Sequence, residues 1–388
     1  MKRGLHGTMV AAAFIATQVL AGAGCNALLG NGYGVDDGTN GGLGPDGGPG
    51  EDDALVNGGE GGPGGEGGGP GDDAMTTVDG STLDANVDAA GCPTGFCPTV
   101  LTAAVGPQRI AVGATAIYWS TATGIGRMNI DGSGVPTTMT VGAPIKPTLK
   151  RGVALSPAGI PYVTVTDRGA AVCDANLMAC GSNGVFVGSA GDASSIAADS
   201  TKVYVGVFDD GSTHGGIWQT TLSGTAPQPY TSALYNVEDL RVVATTTYFM
   251  AGAGVYFAPS RTSTSVSAAN LGGELATVFD VSGQDLVVAT QAGSIRVCTS
   301  SPQLMCPTIT IQTRSKTITA IALDGAQMIW AEVDMNGLGS IYRSTLNAGA
   351  AVDRLADTQG AAIAIAVDAK NIYWAIAGAG GAIIKLEK

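Results

Sequence analysis

Histidine is almost missing from this sequence of 388 residues, which contains only His6 and His214. His6 falls in the export signal predicted below, so His214 is the only histidine left after it. This scarcity disfavours a hydrolytic metal centre built on imidazole ligands and any catalytic triad with a histidine base. The sequence also lacks a Gly-x-Ser-x-Gly nucleophile elbow in a strand-to-helix setting and a glycine-rich phosphate loop.

Charge is scarce and unevenly distributed. Charged residues make up 13% of the chain. Residues 26–91 contain 13 acidic residues and neither Lys nor Arg, whereas residues 92–388 contain 19 acidic and 17 basic residues. The formal net charge of −13 therefore comes almost entirely from residues 26–91. Because nucleic acid binding calls for a basic patch, we expect no nucleic acid partner for the nearly neutral remainder.

Long apolar runs are missing after residue 25. Residues 1–25 combine a basic start, an apolar stretch at 9–20 and small residues up to Cys25, which is the pattern of a secretory signal peptide rather than a transmembrane helix. No later run is long enough and apolar enough to span a bilayer.

The end of this signal resembles the box of bacterial lipoproteins. The run Leu20-Ala-Gly-Ala-Gly-Cys25 ends in the small residues and the cysteine of that box, with Gly22 at its usually aliphatic position. The resemblance implies that Cys25 is lipidated and anchors the chain in the cell envelope of a Gram-negative bacterium, as a periplasmic or surface-exposed outer-membrane lipoprotein. The alternative is ordinary cleavage after Ala23, which leaves Cys25 as a free thiol.

Residues 26–91 are rich in glycine and acidic residues and cannot bury a core. We predict a disordered tether here. A Gly-rich coil of this length has an end-to-end distance of about 45 Å. Calcium binding by the acidic residues is the alternative, but the carboxylates are too dispersed to form a defined cage.

Six of the seven cysteines lie in close pairs along the sequence. Such pairs in an exported chain are typical of local disulfides. Metal binding is the alternative, and it is disfavoured because the pairs fall in different repeats and histidine is nearly absent. The predicted disulfides are Cys92–Cys97, Cys173–Cys180 and Cys298–Cys306, which leaves Cys25 for lipidation.

The strongest pattern that is present is a hairpin motif repeated seven times after residue 100. Its clear copies have the form Ile110-Ala-Val-x4-Ile117-Tyr-Trp and begin again at Ile196, Ile321 and Ile365. A period near forty is the signature of a β-propeller with one four-stranded blade per repeat. The sequence therefore predicts an all-β fold, a seven-bladed propeller over residues 92–388. The anchor positions are 118, 162, 204, 248, 287, 329 and 373, which are 39 to 44 residues apart.

A second motif provides a resemblance to a known class of propellers. The third strand recurs as Gly124-Ile-Gly-Arg127-Met-Asn-Ile-Asp-Gly, Gly216-Ile-Trp-Gln219-Thr-Thr-Leu-Ser-Gly and Gly339-Ser-Ile-Tyr-Arg343-Ser-Thr-Leu-Asn. With the Tyr-Trp pairs, these segments resemble the Tyr-Trp-Thr-Asp blades of the low-density-lipoprotein-receptor class, which usually has six blades. The resemblance implies the fold and not the receptor function. The signal, the glycine-rich segment and the paired cysteines also resemble uncharacterised propeller lipoproteins of myxobacteria.

The last repeat ends early and predicts how the ring closes. In the first repeat we predict strands at 109–112, 116–120, 125–130 and 136–141, whereas the last repeat ends after a third strand at 383–386. The segment Cys97-Pro-Thr-Val matches Cys306-Pro-Thr-Ile, where the outer strand of blade five follows the cysteine. We therefore predict that residues 98–104 supply the missing outer strand of blade seven and remove the open sheet edge.

The strand order also predicts where a ligand binds. In a propeller, the turns between strands one and two and between strands three and four share one face. The chain enters at that face, so we expect the opposite face to point away from the membrane and to bind ligands. Residues expected at the channel mouth on that opposite face are Gln108, Arg109, Lys150, Arg151, Glu238, Asp239 and Thr277, and its longer loops add Asp209, Asp210, His214, Glu332, Asp334 and Asn336.

Two interpretations of these polar residues stay open, since they form either a rim for a polar ligand or ordinary solvated loops. Asp209 and Asp210 are an alternative calcium site, although no loop has regular ligand spacing, and otherwise we expect no cofactor. Trp119, Trp330 and Trp374 recur at one strand position, which predicts packing between blades rather than sugar stacking.

Two functional hypotheses follow. The first is a monomeric, non-catalytic binding or scaffolding module for a protein or glycan partner, tethered to the envelope. The second is a propeller hydrolase or lyase of the lactonase type, in which Glu238, Asp239 and Asn336 act with a divalent metal. A metal held by three or more channel carboxylates would favour the enzyme, whereas a channel mouth closed by Arg–Glu pairs would favour binding or a purely structural role.

Overall fold

β-Strands form the regular secondary structure in the part of the chain that the structure describes. No described segment is a helix with the length and hydrophobicity needed to cross a membrane. The computed structural model describes residues 97–104, 106–141, 152–165, 169–181, 185–186, 192–208, 215–225, 227–231, 236–252, 254–258, 266–299, 306, 310–313, 316–358, 360–378 and 380–388. The predicted features outside these residues are the signal peptide 1–25 with Cys25, the tether 26–91, Cys92, Lys150, Arg151, Asp209, Asp210 and His214.

The strands form seven four-stranded antiparallel sheets, which are the blades of a propeller. In chain order, the first strands are β1 (Thr99–Ala103), then blade 1 with β2 (Pro107–Val112), β3 (Ala116–Thr121), β4 (Gly124–Asn129) and β5 (Thr137–Thr140), and blade 2 with β6 (Val153–Leu155), β7 (Pro161–Val165), β8 (Gly169–Val172) and β9 (Val185–Phe186). Blade 3 contains β10 (Asp192–Ala198), β11 (Lys202–Phe208), β12 (Gly216–Thr221) and β13 (Gln228–Thr231).

The remaining blades repeat the same meander. Blade 4 contains β14 (Val237–Val243), β15 (Thr246–Ala251), β16 (Gly254–Ala258) and β17 (Ser267–Ala268), and blade 5 contains β18 (Ala276–Ser282), β19 (Asp285–Thr290), β20 (Ser294–Thr299) and β21 (Thr310–Thr313). Blade 6 contains β22 (Thr317–Asp324), β23 (Gln327–Val333), β24 (Gly339–Thr345) and β25 (Asp353–Thr358), and blade 7 contains β26 (Ala362–Val367), β27 (Asn371–Ile376) and β28 (Ala382–Glu387). The prediction of an all-β, seven-bladed propeller is confirmed.

Blade 7 is completed by β1, the first described strand. β1 pairs antiparallel with β28, with Thr99 opposite Lys385 and Ala103 opposite Ala382. The two ends of the described chain therefore share one sheet, so the outer edge of β28 is hydrogen-bonded. The predicted ring closure by residues 98–104 is confirmed.

The core lies between neighbouring blades. Trp119 of blade 1 packs in a cluster with Tyr373 and Ile383 of blade 7, and Trp374 of blade 7 packs in a cluster with Ile329 of blade 6. A Cβ atom at Gly126 would collide with the Trp119 ring, so glycine on the facing strand makes room for the indole. The predicted blade-to-blade packing of the tryptophans is confirmed, and it arises because each sheet buries both faces against adjacent sheets.

Short turns hold the strands of each blade together. In blade 1, the Asp131 carboxylate accepts a hydrogen bond from the Ser133 amide at 2.8 Å, and Gly132 has φ +81°, which a residue without Cβ adopts at little cost. In blade 7, the Asp368 carboxylate accepts hydrogen bonds from the Lys370 and Asn371 amides, each at 2.7 Å. These side chains replace backbone partners that the turns leave unsatisfied.

Two of the predicted disulfides lie within the described residues. Cys173 is joined to Cys180 directly after β8, and Cys298 in β20 is joined to Cys306. Cys97 is also disulfide-bonded, while its predicted partner Cys92 lies outside the described residues. Such bonds are typical of proteins that reside in an oxidising compartment outside the cytoplasm.

Candidate functional site

The two faces of the ring follow from the strand directions. β2 runs from the loop after blade 7 toward the turn at Gly113, and β1 begins opposite Lys385 near the end of the chain. We call the face with the turns between first and second strands and between third and fourth strands the lower face. The loops between blades and between second and third strands form the upper face. The described chain begins at the lower face.

The central channel contains an arginine that reaches across the ring. Arg109 extends from β2 in blade 1, and its Nη1 lies 3.2 Å from Oδ2 of Asp239 in blade 4. Its Nη2 donates to the Glu238 carbonyl at 3.4 Å. The Asp239 side chain is only 5% exposed, so this ion pair is largely removed from solvent. Arg109 therefore joins blades that are three positions apart in the ring.

Arg241 extends this ion pair into a network. Its Nη1 donates to Oδ1 of Asp239 at 2.5 Å, and its Nε donates to Oδ1 of Asp280 in blade 5 at 3.2 Å. Its guanidinium also lies 5.7 Å from the centre of the Phe279 ring, within the range of a cation–π contact. Oδ2 of Asp280 accepts a hydrogen bond from the Leu323 amide of blade 6 at 2.8 Å. We call Arg109, Asp239, Arg241 and Asp280 the channel network.

The network perturbs the ionisation of its members. Burial alone would raise the pKa of Asp239, but the Arg109 and Arg241 guanidinium groups outweigh burial and hold that pKa below its ordinary value. For Asp280, burial has the larger effect and raises the pKa despite the neighbouring Arg241. Burial would lower the pKa of Arg241, and the two carboxylates more than compensate, so its pKa is raised.

The space beside this network is small. The cavity between the inner strands of blades 1, 4, 5, 6 and 7 has a volume of ≈ 30 Å³. A cavity needs about 10–15 Å³ of such space to hold one water, so this one has room for two or three waters and not for a substrate. Its lining includes Arg109, Asp239, Arg241, Thr319 and Ile363.

The structure brings together only some of the residues predicted for the channel mouth. Arg109 and Asp239 meet in the channel, and Glu238 contributes its backbone carbonyl while its side chain is exposed. Gln108 is in β2, and the Thr277 hydroxyl donates to the Ala289 carbonyl of its own blade at 3.2 Å. Arg241 and Asp280 were not predicted. Arg241 could have been, because it lies two residues after Asp239 in the same strand and therefore on the same face.

The blade 6 residues behave differently from the prediction. Glu332 was predicted to lie in an upper loop, but it is buried in β23, where its Oε1 accepts a hydrogen bond from Trp330 Nε1 at 2.8 Å. The Asp334 carboxylate accepts from the Asn336 amide at 2.8 Å and the Leu338 amide at 3.0 Å. Asp334 therefore shapes its own loop. Among the described residues, no three His, Cys, Asp or Glu side chains group as a metal site.

A larger concavity lies on the lower face between blades 1 and 2. This groove has a volume of ≈ 550 Å³. One wall is formed by the turn at 113–115, and the other by the turn at 156–159 and the loop at 174–176. Among the described residues that line it, Arg127 is the only one with a charged side chain. The sequence had placed the ligand site on the opposite face, so this groove was missed.

The groove is braced by hydrogen bonds between the two blades. Nε of Arg127 donates to the Ala175 carbonyl at 2.9 Å, and the Tyr118 hydroxyl donates to the same carbonyl at 2.7 Å. Ala175 lies in the loop closed by the Cys173–Cys180 disulfide. The position of the Arg127 guanidinium is therefore fixed from the neighbouring blade.

Comparison with known proteins agrees with this architecture. No family model and no curated protein matches the sequence. The structure of YCF48 bound to a D1 peptide is 12% identical, covers 76% of this chain and 97% of that chain, and has a TM-score of 0.56. The WD40 propeller domain of Doa1 is 10% identical, covers 75% of this chain and 97% of that chain, and has a TM-score of 0.55. This chain has a β-propeller fold. At these identities the likeness concerns the fold alone.

Proposed function

We propose that this chain is a non-catalytic, protein-binding propeller held at the cell envelope. The observation that carries the proposal is the state of the channel. Asp239 lies between two arginines, and Asp280 is paired with one of them, beside a cavity of ≈ 30 Å³. A metal-dependent lactonase or lyase needs carboxylates that are free to hold the ion, whereas Asp239 and Asp280 are paired with arginines, which favours recognition at the faces.

The alternative function, a lactonase-like hydrolase or lyase with a divalent metal, fits this channel less well. A divalent cation at Asp239 would lie beside two guanidinium groups, Arg109 at 3.2 Å and Arg241 at 2.5 Å from the carboxylate. Like charges at such distances repel, and each arginine would have to move before the carboxylate could bind a metal. Of the other candidates, Glu238 is exposed and Asn336 lies in the blade 6 upper loop.

The neighbouring structures support a protein partner by analogy. YCF48 is described with a bound D1 peptide and has the same fold with low sequence identity. A propeller of this size offers broad faces of short loops, on which a peptide segment can be held without conformational change. We therefore prefer a protein partner over the glycan partner for this chain.

The cellular setting is part of the proposal. The two described disulfides fit an exported protein. The signal sequence 1–25, lipidation at Cys25 and a Gly-rich spacer at 26–91 would place the propeller at an outer membrane, as in the myxobacterial lipoproteins that the sequence resembles. We also propose that the repeats are related to the blades of the low-density-lipoprotein-receptor class, because their motifs resemble each other.

Site-specific photo-crosslinking in the native cell tests this function. A photoreactive residue replaces Met178 on the lower face or Met335 on the upper face of the full chain, since both side chains are exposed. We expect irradiation to join at least one of these faces to a defined protein, and the purified partner to bind the purified chain at the same face. Non-irradiated cells serve as the control. If neither face yields a partner, the proposal is wrong.

A further inference from the structure

The lower-face groove differs from the rest of the surface in size and charge. Its volume of ≈ 550 Å³ is within the range of roughly 300–1,000 Å³ that is usual for ligand sites. The lining residues are mostly small, their exposed surface is nearly half polar, and among the described residues Arg127 carries the only charge. A groove of this composition is suited to a ligand that combines aliphatic groups with one anionic group.

The equivalent arginine of blade 6 shows what Arg127 lacks. Arg127 and Arg343 occupy the same position of the repeated third-strand motif. Arg343 lies opposite Asp353 of the outer strand, and its Nη2 is 3.3 Å from the Asp353 carboxylate. Arg127 lies opposite Thr137, and no acidic side chain of the described residues pairs with it. In blade 6 the arginine is therefore paired with an aspartate of its own blade, whereas in blade 1 the arginine lines the groove.

The acidic residues near the groove are already engaged. The Asp174 carboxylate accepts hydrogen bonds from the amides of Asn176, Met178 and Ala179 within its own loop. The Asp199 carboxylate accepts from the amides of Thr201 and Lys202. Neither carboxylate pairs with the Arg127 guanidinium, and the hydrogen bond that Arg127 makes to a described residue runs from Nε to the Ala175 carbonyl.

The segments that line the groove also carry exposed apolar side chains. Ile160 follows the turn at 156–159 and is 37% exposed, and Met178 lies in the loop of Ala175 and is 79% exposed. These side chains add apolar surface to the two segments, and Arg127 adds a cation. A partner that combines aliphatic groups with one carboxylate fits this combination.

We propose that this groove binds a short segment of a partner protein in which an aspartate or glutamate lies among aliphatic residues. The carboxylate pairs with the two terminal nitrogens of Arg127, and the aliphatic side chains lie against Leu155 and Pro157. The inference rests on the proposed protein-binding function and names the site and the chemistry of the partner. An arginine held in place by a backbone carbonyl is suited to bidentate recognition of a carboxylate.

A degenerate pool of labelled octapeptides tests this site on the full chain. Each peptide has Asp or Glu at its fourth position and Ala, Leu or Val elsewhere, with both termini blocked. The comparison pool has Asn or Gln at the fourth position. We expect the acidic pool to be retained at least about tenfold more strongly, because an ion pair with Arg127 contributes at least that much.

Matched variants locate the binding. Arg127→Gln should weaken retention of the acidic pool about tenfold, whereas Arg343→Gln, at the same repeat position, should leave it within about twofold. Ala158→Trp should fill the groove and abolish retention. Ala326→Trp lies in the corresponding turn of blade 6, away from the groove, and should leave retention unchanged. It is a matched control because both alanines are exposed. Thermal unfolding checks that each variant remains folded.

The outcomes separate this inference from the proposed function. Equal retention of the two pools, or unchanged binding by Arg127→Gln and Ala158→Trp, overturns the groove assignment. If a crosslinked partner binds those two variants with unchanged affinity, the protein-binding function stands and the groove is not its site. If sedimentation shows a dimer that Arg127→Gln dissociates, the groove is instead an interface between two copies of this chain, and the inference is wrong.

Discussion

The channel and the lower-face groove both contain arginine, and the two regions differ in whether a carboxylate pairs with it. In the channel, Arg109 and Arg241 are paired with Asp239 and Asp280, and the remaining cavity is ≈ 30 Å³. In the groove of ≈ 550 Å³, Arg127 is held by a carbonyl and has no acidic partner among the described residues. The channel charges serve to join blades, whereas the groove charge is available to a ligand.

This difference separates structural from functional charge within one repeat fold. A buried cation needs a partner of opposite charge, because burying an unpaired ion costs roughly several kcal/mol of stability. Arg127 is half-buried and keeps access to solvent, so it tolerates the lack of a carboxylate. Substitutions in the two regions should therefore affect different properties: stability for the channel, ligand binding for the groove.

The largest effect is expected for Asp239→Ala. This change leaves Arg109 and Arg241 facing each other without the carboxylate that both contact. Breaking a buried ion pair costs about 3–5 kcal/mol, and we expect about 3 kcal/mol because the arginines are partly exposed. Urea unfolding of the full chain measures the free energy of unfolding.

The control for this prediction is Asp353→Ala in blade 6. Asp353 pairs with Arg343 at 3.3 Å, but its side chain is 62% exposed. An exposed pair contributes about 0–1 kcal/mol. If Asp239→Ala costs no more than this control, the channel network is not a structural link between blades.

A somewhat smaller effect is expected for removal of the Cys173–Cys180 disulfide. The bond closes a loop with a sequence separation of 7, for which chain entropy gives about 2–3 kcal/mol of stability. Because this loop carries Ala175, which positions Arg127, the double alanine variant should also weaken binding of the acidic peptides.

Removal of the Cys298–Cys306 disulfide is the matched control. Its sequence separation is 8, so the loss of stability should be similar, at about 2–3 kcal/mol. It lies in blade 5, away from the groove, and should leave peptide binding unchanged. If both double variants lost peptide binding equally, the loss would come from general destabilisation and not from the loop that positions Arg127.

The ring itself could be predicted from the sequence because it is built from repeats. The recurring hairpin set the number of blades, and the early end of the last repeat required an outer strand from elsewhere, which β1 provides. The tryptophans could be placed between blades because they recur at one strand position. These inferences succeed because each repeat experiences the same packing environment.

The two candidate sites depend on departures from the repeat, and these were harder to predict. Asp280 meets Arg241 from another blade, a contact that no local spacing encodes. Glu332 was predicted as a loop residue because β23 continues three residues past Trp330, the last residue of its hairpin motif. The groove could have been found by comparing Arg343 with Arg127, since their outer strands offer Asp353 and Thr137 respectively.

Acid should reduce the contribution of Asp239 in the channel network to the free energy of unfolding. The pKa of Asp239 is lower in the folded protein than its ordinary value of about 4, so its contribution to stability is fully present above about pH 5. That contribution is lost as the pH falls through the folded-state pKa. The difference in unfolding free energy between the native chain and Asp239→Asn should therefore narrow below about pH 4.

Urea unfolding between pH 7 and pH 3 measures this difference. Asp280, whose pKa is raised, is present in both proteins, so its opposite dependence on pH largely cancels in the difference. A gap that is constant down to pH 3 would show that the ionised carboxylate of Asp239 is not what links the blades.

The smallest effect on stability is expected for Arg127→Gln. The native side chain makes one hydrogen bond to a described residue, from Nε to the Ala175 carbonyl, and the glutamine amide can donate to the same carbonyl. We expect the free energy of unfolding to change by no more than about 1 kcal/mol, the net value of one such bond. Thermal and urea unfolding measure this change, with Arg343→Gln measured in parallel. If Arg127→Gln lost as much stability as Asp239→Ala, Arg127 would be a structural cation like those of the channel. An arginine whose role is to bind a ligand should contribute little to the stability of the protein without that ligand.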